Sequence, residues 1–368
     1  MPLLDRLLDD IRRRGPITVA EFMERALYDP DEGYYATAAQ RSGRAGDFYT
    51  SVDVGPLFGE LLAEFVARRW RTWREQARKE EPFALVEAGA GNGRLARDLL
   101  DALAADHPDC YAATHLHLVE RSAPARAQHL ATLGPHAPRL VSSGADLPPR
   151  ASGVLLANEL LDAFPAHRVR MTASGLRECH VGVRDGQLVL VDGPPSSPVV
   201  EAYVEALGAP LPEGAIADIS PAALAWVREA AVRMSRGVML LIDYGHEARE
   251  LLAGHHAEGT LVSFSRHQLD PASGSRTLDR PAWLEAPGER DLTTHVDFTS
   301  VTRAAESAGW RREALVEQSR LLVDLGLGDR LARSTGSSTA DLKRRLAAKA
   351  LALPAGLGAS HQALVLVK

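Results

Sequence analysis

A short apolar run followed by three alternating glycines limits the possible folds of this chain more than any other stretch. The run ends in the carboxylate Glu87, and Gly89, Gly91 and Gly93 follow it. This order predicts a β-strand that enters a ligand-binding loop, because glycine permits positive φ and leaves the backbone accessible. The spacing of apolar residues predicts a helix over residues 94–105, whose first amides would face the same ligand.

The glycine pattern also indicates which cofactor the loop accepts. A dinucleotide-binding fingerprint needs a third glycine three residues after the second, but Arg94 stands at that position. Three alternating glycines with an acidic residue two positions before them, here Glu87, suit S-adenosyl-L-methionine, which carries no pyrophosphate. We therefore expect this cofactor at Glu87, Gly89, Gly91 and Gly93. The alternative is a tight strand-to-helix turn that binds no ligand.

A second carboxylate indicates an adenosine moiety. Residues 115–119 alternate as a second apolar strand that ends in Glu120, where a carboxylate can accept both ribose hydroxyls. Residues 139–143 predict a third strand, and the turn after it contains Asp146. Asp146 either contacts the adenine amino group or is a plain turn residue.

Composition and charge exclude several classes of protein. With 368 residues the chain is long enough for one large α/β domain with insertions or for two domains. A formal charge of −6 and a pI near 6.1 argue against a nucleic-acid partner, because a protein that binds phosphates needs a concentrated positive face. The two cysteines, Cys110 and Cys179, lack metal-ligand spacing. We therefore expect neither a disulfide nor a metal ion, and a reducing compartment.

The sequence gives no sign of a membrane or of export. Its longest aliphatic run, residues 238–242, is too short to span a bilayer. The first residues are acidic and amphipathic, unlike a signal or transit peptide. Cytoplasmic localisation is therefore the expectation.

The first 82 residues are expected to form a mostly helical N-terminal region with a loop that covers the cofactor. A helix over residues 19–26 is predicted to begin at the cap Thr18. Residues 33–35 and 46–51 place aromatic and hydroxyl side chains before the glycines. Such a segment either covers a ligand or packs its aromatic rings under a helix.

The predicted fourth strand, residues 153–157, ends in a run of polar residues. Asn158, Glu159 and Asp162 follow it at the strand end where open α/β sheets place their chemistry. If this segment starts a helical turn, Glu159 and Asp162 share one face and can hold a guanidinium by paired hydrogen bonds. The alternative is that Asn158 caps a helix whose dipole the two acids complement.

Residues 83–368 are expected to form the main domain, with insertions at about residues 166–236 and 254–296. At the start of the first insertion, the alternation of residues predicts two or three strands joined by tight turns. Strands near residues 314–318 and 363–367 are expected to close the core sheet as an antiparallel hairpin.

In their order along the chain, these motifs resemble the MidA family of class I S-adenosylmethionine-dependent methyltransferases, which includes mitochondrial complex I assembly factors. The resemblance covers most of the chain, from Ile17 to about Asp297. It implies an α/β fold with a Rossmann-like class I methyltransferase sheet, a helical N-terminal region and α+β substrate insertions. The chain departs from the family at Val52-Asp53, where Pro-Glu is usual, and at residues 271–282, a longer segment than usual. The motifs that carry the resemblance are Gly33-Tyr34-Tyr35, Gly46-Asp47-Phe48-Tyr49-Thr50, Phe58-Gly59-Glu60-Leu61, the loop from Glu87 to Gly93, Asn158-Glu159-Leu160-Leu161-Asp162-Ala163-Phe164-Pro165, Ile242-Asp243-Tyr244-Gly245, Pro287-Gly288, Asp291-Leu292-Thr293 and His295-Val296-Asp297-Phe298.

The resemblance implies methyl transfer from S-adenosyl-L-methionine, and transfer to protein arginine in the mitochondrial members. A small-molecule O- or N-methyltransferase and a non-catalytic assembly factor that binds the cofactor stay open as alternatives. The expected partner is a protein or small-molecule methyl acceptor, and a homodimer is possible. The residues expected to bind the cofactor are Thr50, Asp53, Glu87, Gly89, Gly91, Gly93, Glu120, Asp146 and Asn158. The catalytic candidates on the acceptor side are Asn158, Glu159, Asp162, Asp243 and His295.

Overall fold

The N-terminal region of the computed structural model consists of helices and one short strand. The structure describes residues 1–36, 50–76, 81–253, 256–265, 268–269, 279–332, 334, 336, 338–353 and 361–368. Thr18 caps the second helix as predicted, because its hydroxyl accepts a hydrogen bond from the Glu21 amide at 3.0 Å. The elements of this region are α1 (Leu3–Arg14), β1 (Ile17–Thr18), α2 (Val19–Tyr28) and α3 (Leu57–Gln76).

The next part of the chain alternates strands with helices, as the sequence predicts. The glycine loop joins the first of these strands to the first helix. The elements are β2 (Phe83–Ala88), α4 (Arg94–Asp106), α5 (Pro108–Ala113), β3 (Thr114–Val119), α6 (Ala123–Arg126), α7 (His129–Leu133), β4 (Leu140–Gly144) and β5 (Ala151–Asn158).

The first insertion contains four strands, where the alternation predicts two or three. The fourth strand spans four residues, too few for a clear alternation of side chains. The elements are β6 (His167–Thr172), β7 (Gly175–Arg184), β8 (Gln187–Gly193), α8 (Pro198–Ala206), β9 (Ile216–Ile219) and α9 (Pro221–Arg233).

The remainder of the chain returns to the central sheet and completes it. A second insertion separates its long first strand from the closing hairpin. The elements are β10 (Met234–His246), α10 (Ala248–Leu251), β11 (Val262–Ser265), β12 (Gln268–Leu269), β13 (Asp291–Thr293), β14 (Val296–Asp297), α11 (Phe298–Glu306), β15 (Arg311–Glu317), α12 (Gln318–Asp324), α13 (Leu327–Ala332), α14 (Thr339–Ala352) and β16 (His361–Val367).

The central sheet has the strand order β15-β16-β10-β5-β2-β3-β4, with β14 beside the end of β10. Strands β2, β3, β4, β5 and β10 run parallel, whereas β16 is antiparallel to both β10 and β15. The predicted antiparallel hairpin is therefore confirmed. The carboxyl ends of β2, β3, β5 and β10 meet at one edge, which is where ligands bind in open α/β sheets.

Alternate residues of the strands pack against helices on the two faces of the sheet. On β2, Phe83 and Leu85 lie in the apolar core with α3, α4 and α12 to α14. Ala84 and Val86 lie in the opposite core with α8, α9 and α11. Burial on both faces explains why these strands are apolar along nearly their whole length.

The N-terminal region and the first insertion share a second sheet. Strand β1 pairs with β7, and the path continues through β6 to β9, while β8 pairs with the other side of β7. A third core joins α1 and α2 to this sheet and to the second insertion through residues such as Phe22 and Trp283, whose rings are 5.9 Å apart. Within the described residues, no helix is both long and apolar enough to cross a membrane.

Candidate active site

The glycine loop has the backbone conformation that its sequence predicts. Gly89, Gly91 and Gly93 have φ values of 71°, 53° and 86°, which residues other than glycine rarely adopt. A Cβ added to Gly91 would meet no atom within 4 Å, so this face of the loop is open to a ligand. The amides of Gly89 and Ala90 donate to the Val119 carbonyl and fix the loop to the end of β3.

Glu120 lies directly beside the glycine loop. Its Oε2 accepts a hydrogen bond from the Gly91 amide at 2.8 Å, and its Oε1 accepts one from the Ser122 amide at 2.7 Å. Burial raises the pKa of this carboxyl, and the two amides partly offset that effect. Each carboxylate oxygen can accept a further hydrogen bond, and the contact of Glu120 with a ribose diol stays a prediction.

A buried histidine that the sequence analysis did not identify supports the loop from below. The Nε2 atom of His129 lies 2.8 Å from the Gly91 carbonyl, and its Nδ1 atom lies 2.9 Å from the Ser143 hydroxyl. Burial lowers the pKa of His129, which favours the neutral ring. No sequence spacing joins His129 to the loop, because the contact forms when α7 packs against α4.

Glu87 lies in β2 and faces the helical layer of α3 and α4 rather than solvent, with 5% of its surface exposed. Burial raises its pKa to about 8, although the Ala96 amide partly lowers it. Within the described residues, its Oε2 has no hydrogen-bond partner. The structure therefore places Glu87 under the loop, and a contact with the cofactor stays a prediction.

Arg94, which replaces the third glycine of a dinucleotide fingerprint, ties the N-terminal region to the glycine loop. Its guanidinium forms an ion pair with Asp53, whose side chain is 1% exposed. Asp53 also accepts hydrogen bonds from the Thr50 amide at 3.0 Å and from its hydroxyl at 2.9 Å. Asp53 thus binds both Thr50 and Arg94, and the contact of Thr50 and Asp53 with the cofactor stays a prediction.

Asp146 and the aromatic segment before the glycine loop are the other parts of the predicted cofactor site. Asp146 is exposed on the turn after β4, and its contact with adenine stays a prediction. Tyr34 is fully buried in the core of the N-terminal region, so at this position the ring packs under a helix instead of covering a ligand. Residues 46–49 of the predicted cover lie outside the described residues.

The segment after β5 does not form the helix that Asn158 would cap. Glu159 has φ of 51°, which interrupts helical geometry, and a 3₁₀ turn begins at Leu161. Asn158 donates from Nδ2 to the Glu159 carboxylate at 3.2 Å instead of capping a helix. The Ser51 amide donates to the same Glu159 oxygen at 3.1 Å, which joins the N-terminal region to this strand end.

Asp243 fixes the turn in which Asp162 lies. Its Oδ2 accepts hydrogen bonds from the amides of Leu160, Leu161 and Asp162 at 3.0, 2.7 and 3.4 Å. Burial raises the pKa of Asp243, and the Leu161 amide and nearby His361 partly offset that rise. These contacts favour a positioning role for Asp243, since its carboxylate is directed at backbone amides.

Asp162 lies in a buried group of carboxylates next to two tyrosines. Burial raises its pKa well above the usual range, and nearby Asp243, Asp291 and Glu159 raise it further. The Tyr35 hydroxyl donates to Asp291 at 2.8 Å, and the Tyr35 ring stacks on that of Tyr28. In the part of the chain that the structure describes, no lysine or arginine forms a salt bridge with Asp162.

The backbone beside His295 contacts the turn of Asp162, but the His295 ring packs against two other histidines and not against the carboxylates. The neighbouring Thr294 amide donates to the Asp162 carbonyl at 3.0 Å. The His295 ring packs against the rings of His246 and His256, with ring centroids 5.6 and 5.2 Å away. Burial and these two imidazoles lower the pKa of His295 to about 4. Its predicted catalytic role stays a prediction.

A cavity of about 1000 Å³ lies at the opposite edge of the sheet, where the strands begin. Its lining includes Ala84, Ser152 and Arg236, from the amino-terminal parts of β2, β5 and β10. The carboxylates and glycines described above lie at the carboxyl edge, which is where chemistry occurs in parallel sheets. We therefore assign the active site to the carboxyl edge.

The strand order, the glycine loop and the carboxylate after β3 define a class I S-adenosylmethionine-dependent methyltransferase. The chain belongs to the MidA-type family of these enzymes, because the family model for S-adenosyl-L-methionine-dependent methyltransferases matches residues 61–316. The contact of the open face at Gly91 with the methionine part of the cofactor stays a prediction. When bound, S-adenosyl-L-methionine supplies an electrophilic methyl group.

Known proteins similar to this chain agree with that assignment. A crystallised protein of Burkholderia thailandensis bound to S-adenosyl-homocysteine is 31% identical, with a TM-score of 0.85 over 100% of this chain and 92% of its own. The mitochondrial protein arginine methyltransferase NDUFAF7 of Rattus norvegicus is 31% identical over 90% of this chain and 75% of its own length. Its Drosophila melanogaster homologue is 29% identical over 83% of this chain and 70% of its own length.

Replacing Gly91 with alanine is expected to weaken cofactor binding without unfolding the protein. The new methyl group would project into the open face of the loop, and the positive φ would cost about 1–2 kcal/mol. Calorimetry should show at least a roughly tenfold loss of S-adenosyl-L-methionine affinity. Gly186→Ala is the control, since it has positive φ and open space on the turn between β7 and β8. Equal affinity in the two variants would contradict the assignment of the loop.

Glu87→Gln is expected to stabilise the protein increasingly as the pH rises. The native carboxyl, with its pKa near 8, keeps a proton that the unfolded chain releases above about pH 4.5, so wild-type stability falls between these values. Glutamine resembles the protonated acid and removes this loss, which is about 1.4 kcal/mol per pH unit at most.

Denaturant unfolding of the cofactor-free protein at pH 5 and pH 8 measures this effect. The variant should gain about 1–4 kcal/mol over wild type at pH 8 and little at pH 5. Glu205→Gln provides the control, because Glu205 is exposed. A gain that is the same at both pH values would show that Glu87 is ionised in the native protein.

Proposed function

We propose that this enzyme methylates an arginine guanidinium nitrogen of a protein substrate. The observation that carries the proposal is the buried group of carboxylates at the carboxyl edge, with Asp162 at its centre. Accumulated acidic groups raise each other's pKa and make ionisation costly, and a bound cation reverses this effect. A guanidinium is the cation best suited to carboxylates by its planar, bidentate hydrogen bonds.

The protein residues would act by binding, orienting and accepting a proton. Asp162 and Glu159 would hold the guanidinium, and Asp243 would keep the turn of Asp162 in place through its three amide contacts. The substrate nitrogen forms a bond to the methyl carbon as the sulfur–carbon bond breaks, and S-adenosyl-L-homocysteine leaves. One carboxylate takes the proton that the nitrogen loses. Alignment of nitrogen, carbon and sulfur is the main contribution of the site.

The relatives support a protein substrate, since the rat and fly proteins carry the name protein arginine methyltransferase. Their names also place them in mitochondria, whereas we propose a cytoplasmic location for this chain. Cys110 and Cys179 are free, buried thiols, which suits a reducing compartment. Expression with a C-terminal fluorescent tag would test the location.

Quantitative mass spectrometry of cells with and without the protein tests the acceptor class. We expect a methylarginine peptide that disappears with the protein. A synthetic copy of that peptide should accept labelled methyl groups from the purified enzyme, and its arginine-to-lysine version should not. A changed methylated metabolite with all methylarginine peptides retained would favour a small-molecule methyltransferase. An absence of S-adenosyl-L-homocysteine release with every acceptor tested would favour a cofactor-binding assembly factor.

Asp162→Asn and Glu159→Gln are expected to reduce turnover by roughly two to four orders of magnitude, because each keeps the side-chain shape but removes the charge that holds the guanidinium. Cofactor affinity should persist. Single-turnover methyl transfer to the arginine peptide and thermal melting measure rate and stability separately. Asp185→Asn is the control, with an 86% exposed side chain. Variants with lower stability but normal rate per folded molecule would show that the two acids are structural.

A further inference from the structure

Three histidines that are distant in sequence meet beside the end of β10. His246 is the last residue of β10, His256 lies in the turn after α10, and His295 lies between β13 and β14. Each offers one ring nitrogen, and these atoms all lie within 4.8 Å of one another. We propose that His246, His256 and His295 form a binding site for a zinc ion.

The geometry of the three rings suits a small tetrahedral ion. Zinc binds imidazole nitrogen at about 2.0–2.1 Å, which places ligand nitrogens about 3.4 Å apart. The three ring nitrogens lie within 4.8 Å of one another, so small side-chain rotations bring them to that spacing. Three imidazoles leave one coordination position for water or substrate, as in catalytic zinc sites. Neutral nitrogen donors favour zinc over magnesium or calcium, which prefer oxygen.

The surroundings of the rings also resemble a metal site. The Nδ1 atom of His246 lies 3.2 Å from a carboxylate oxygen of Glu250, which leaves Nε2 of His246 for an ion. Carboxylates commonly orient metal-binding histidines in this way. A hydrogen bond fixes the backbone of His295, because the His295 amide donates to the Thr260 hydroxyl at 3.1 Å.

Ordinary packing explains the group less well than an ion does. A buried histidine in a protein core normally has hydrogen-bond partners for both ring nitrogens. Among the residues that the structure describes, the buried Nδ1 of His295 has none.

A zinc ion here would hold the second insertion against the central sheet. His246 and His295 come from paired segments, since β14 lies parallel to the end of β10 at Gly245 and Val296. His256 belongs to a turn that also contacts the first insertion, through the Ile216 amide and the Ala257 carbonyl. The ion would therefore connect three segments that surround the acceptor side of the active site.

Metal titration of the purified, chelator-treated protein tests the proposal. Calorimetry should detect one Zn²⁺ per chain, and Co²⁺ should give the visible absorption of a tetrahedral site. His246→Gln, His256→Gln and His295→Gln should each weaken Zn²⁺ binding at least tenfold, because loss of a direct ligand costs at least as much as loss of a supporting residue. His115→Gln is the control, since His115 is exposed on β3 and distant from the site.

Circular dichroism and S-adenosyl-L-methionine affinity of His256→Gln show whether this variant is folded. The proposal is overturned if the wild-type protein binds no stoichiometric Zn²⁺. It is equally overturned if folded His256→Gln binds Zn²⁺ as the wild type does, or if His115→Gln loses binding to the same degree. A Co²⁺ spectrum of octahedral type in the wild-type protein would also contradict the tetrahedral geometry, independently of any variant.

Discussion

The carboxylate of Asp243 is the contact on which the acceptor side of this enzyme depends. It accepts three successive backbone amides from the turn after β5, so one side chain of β10 determines the path of the neighbouring strand end. Burial favours the protonated form of this carboxyl, whereas the hydrogen bonds from the amides favour the ionised form. The left-handed backbone of Glu159 is held by its own amide, which donates to the Ile242 carbonyl at 2.8 Å, while its carboxylate accepts the Ser51 amide.

The cofactor side depends on a second connection, between the N-terminal region and the glycine loop. Arg94 begins α4 and pairs with Asp53, which also binds the Thr50 hydroxyl. The same short segment reaches the acceptor side, since Ser51 contacts both Glu159 and Gln318. Residues 50–53 therefore lie between the two halves of the site. A displacement of this segment would alter the cofactor loop and the carboxylates together.

The insertions surround the acceptor side from a sheet of their own. Strand β1 of the N-terminal region completes that sheet by pairing with β7, so the predicted N-terminal region and the first insertion fold together. The second insertion approaches through β13 and β14, and Asp291 on β13 meets Tyr35 from the N-terminal region. Three segments distant in sequence thus meet beside the carboxylates that we propose to bind the acceptor. Variation in these segments offers a physical route to different substrates on an unchanged cofactor site.

The sequence by itself determined the central sheet, the cofactor loop and the family. Apolar runs, glycine spacing and the terminal carboxylates are local signals, and local signals suffice where each strand is buried on both faces. It could not determine the path after β5, because a 3₁₀ turn held by Asp243 from another strand replaces the helix that Asn158 would cap. Nor could it identify His129 below the loop or bring together His246, His256 and His295, since no spacing relates them. Those contacts form only when separate helices and strands pack, and so only the tertiary structure decided how the side chains of the site are held.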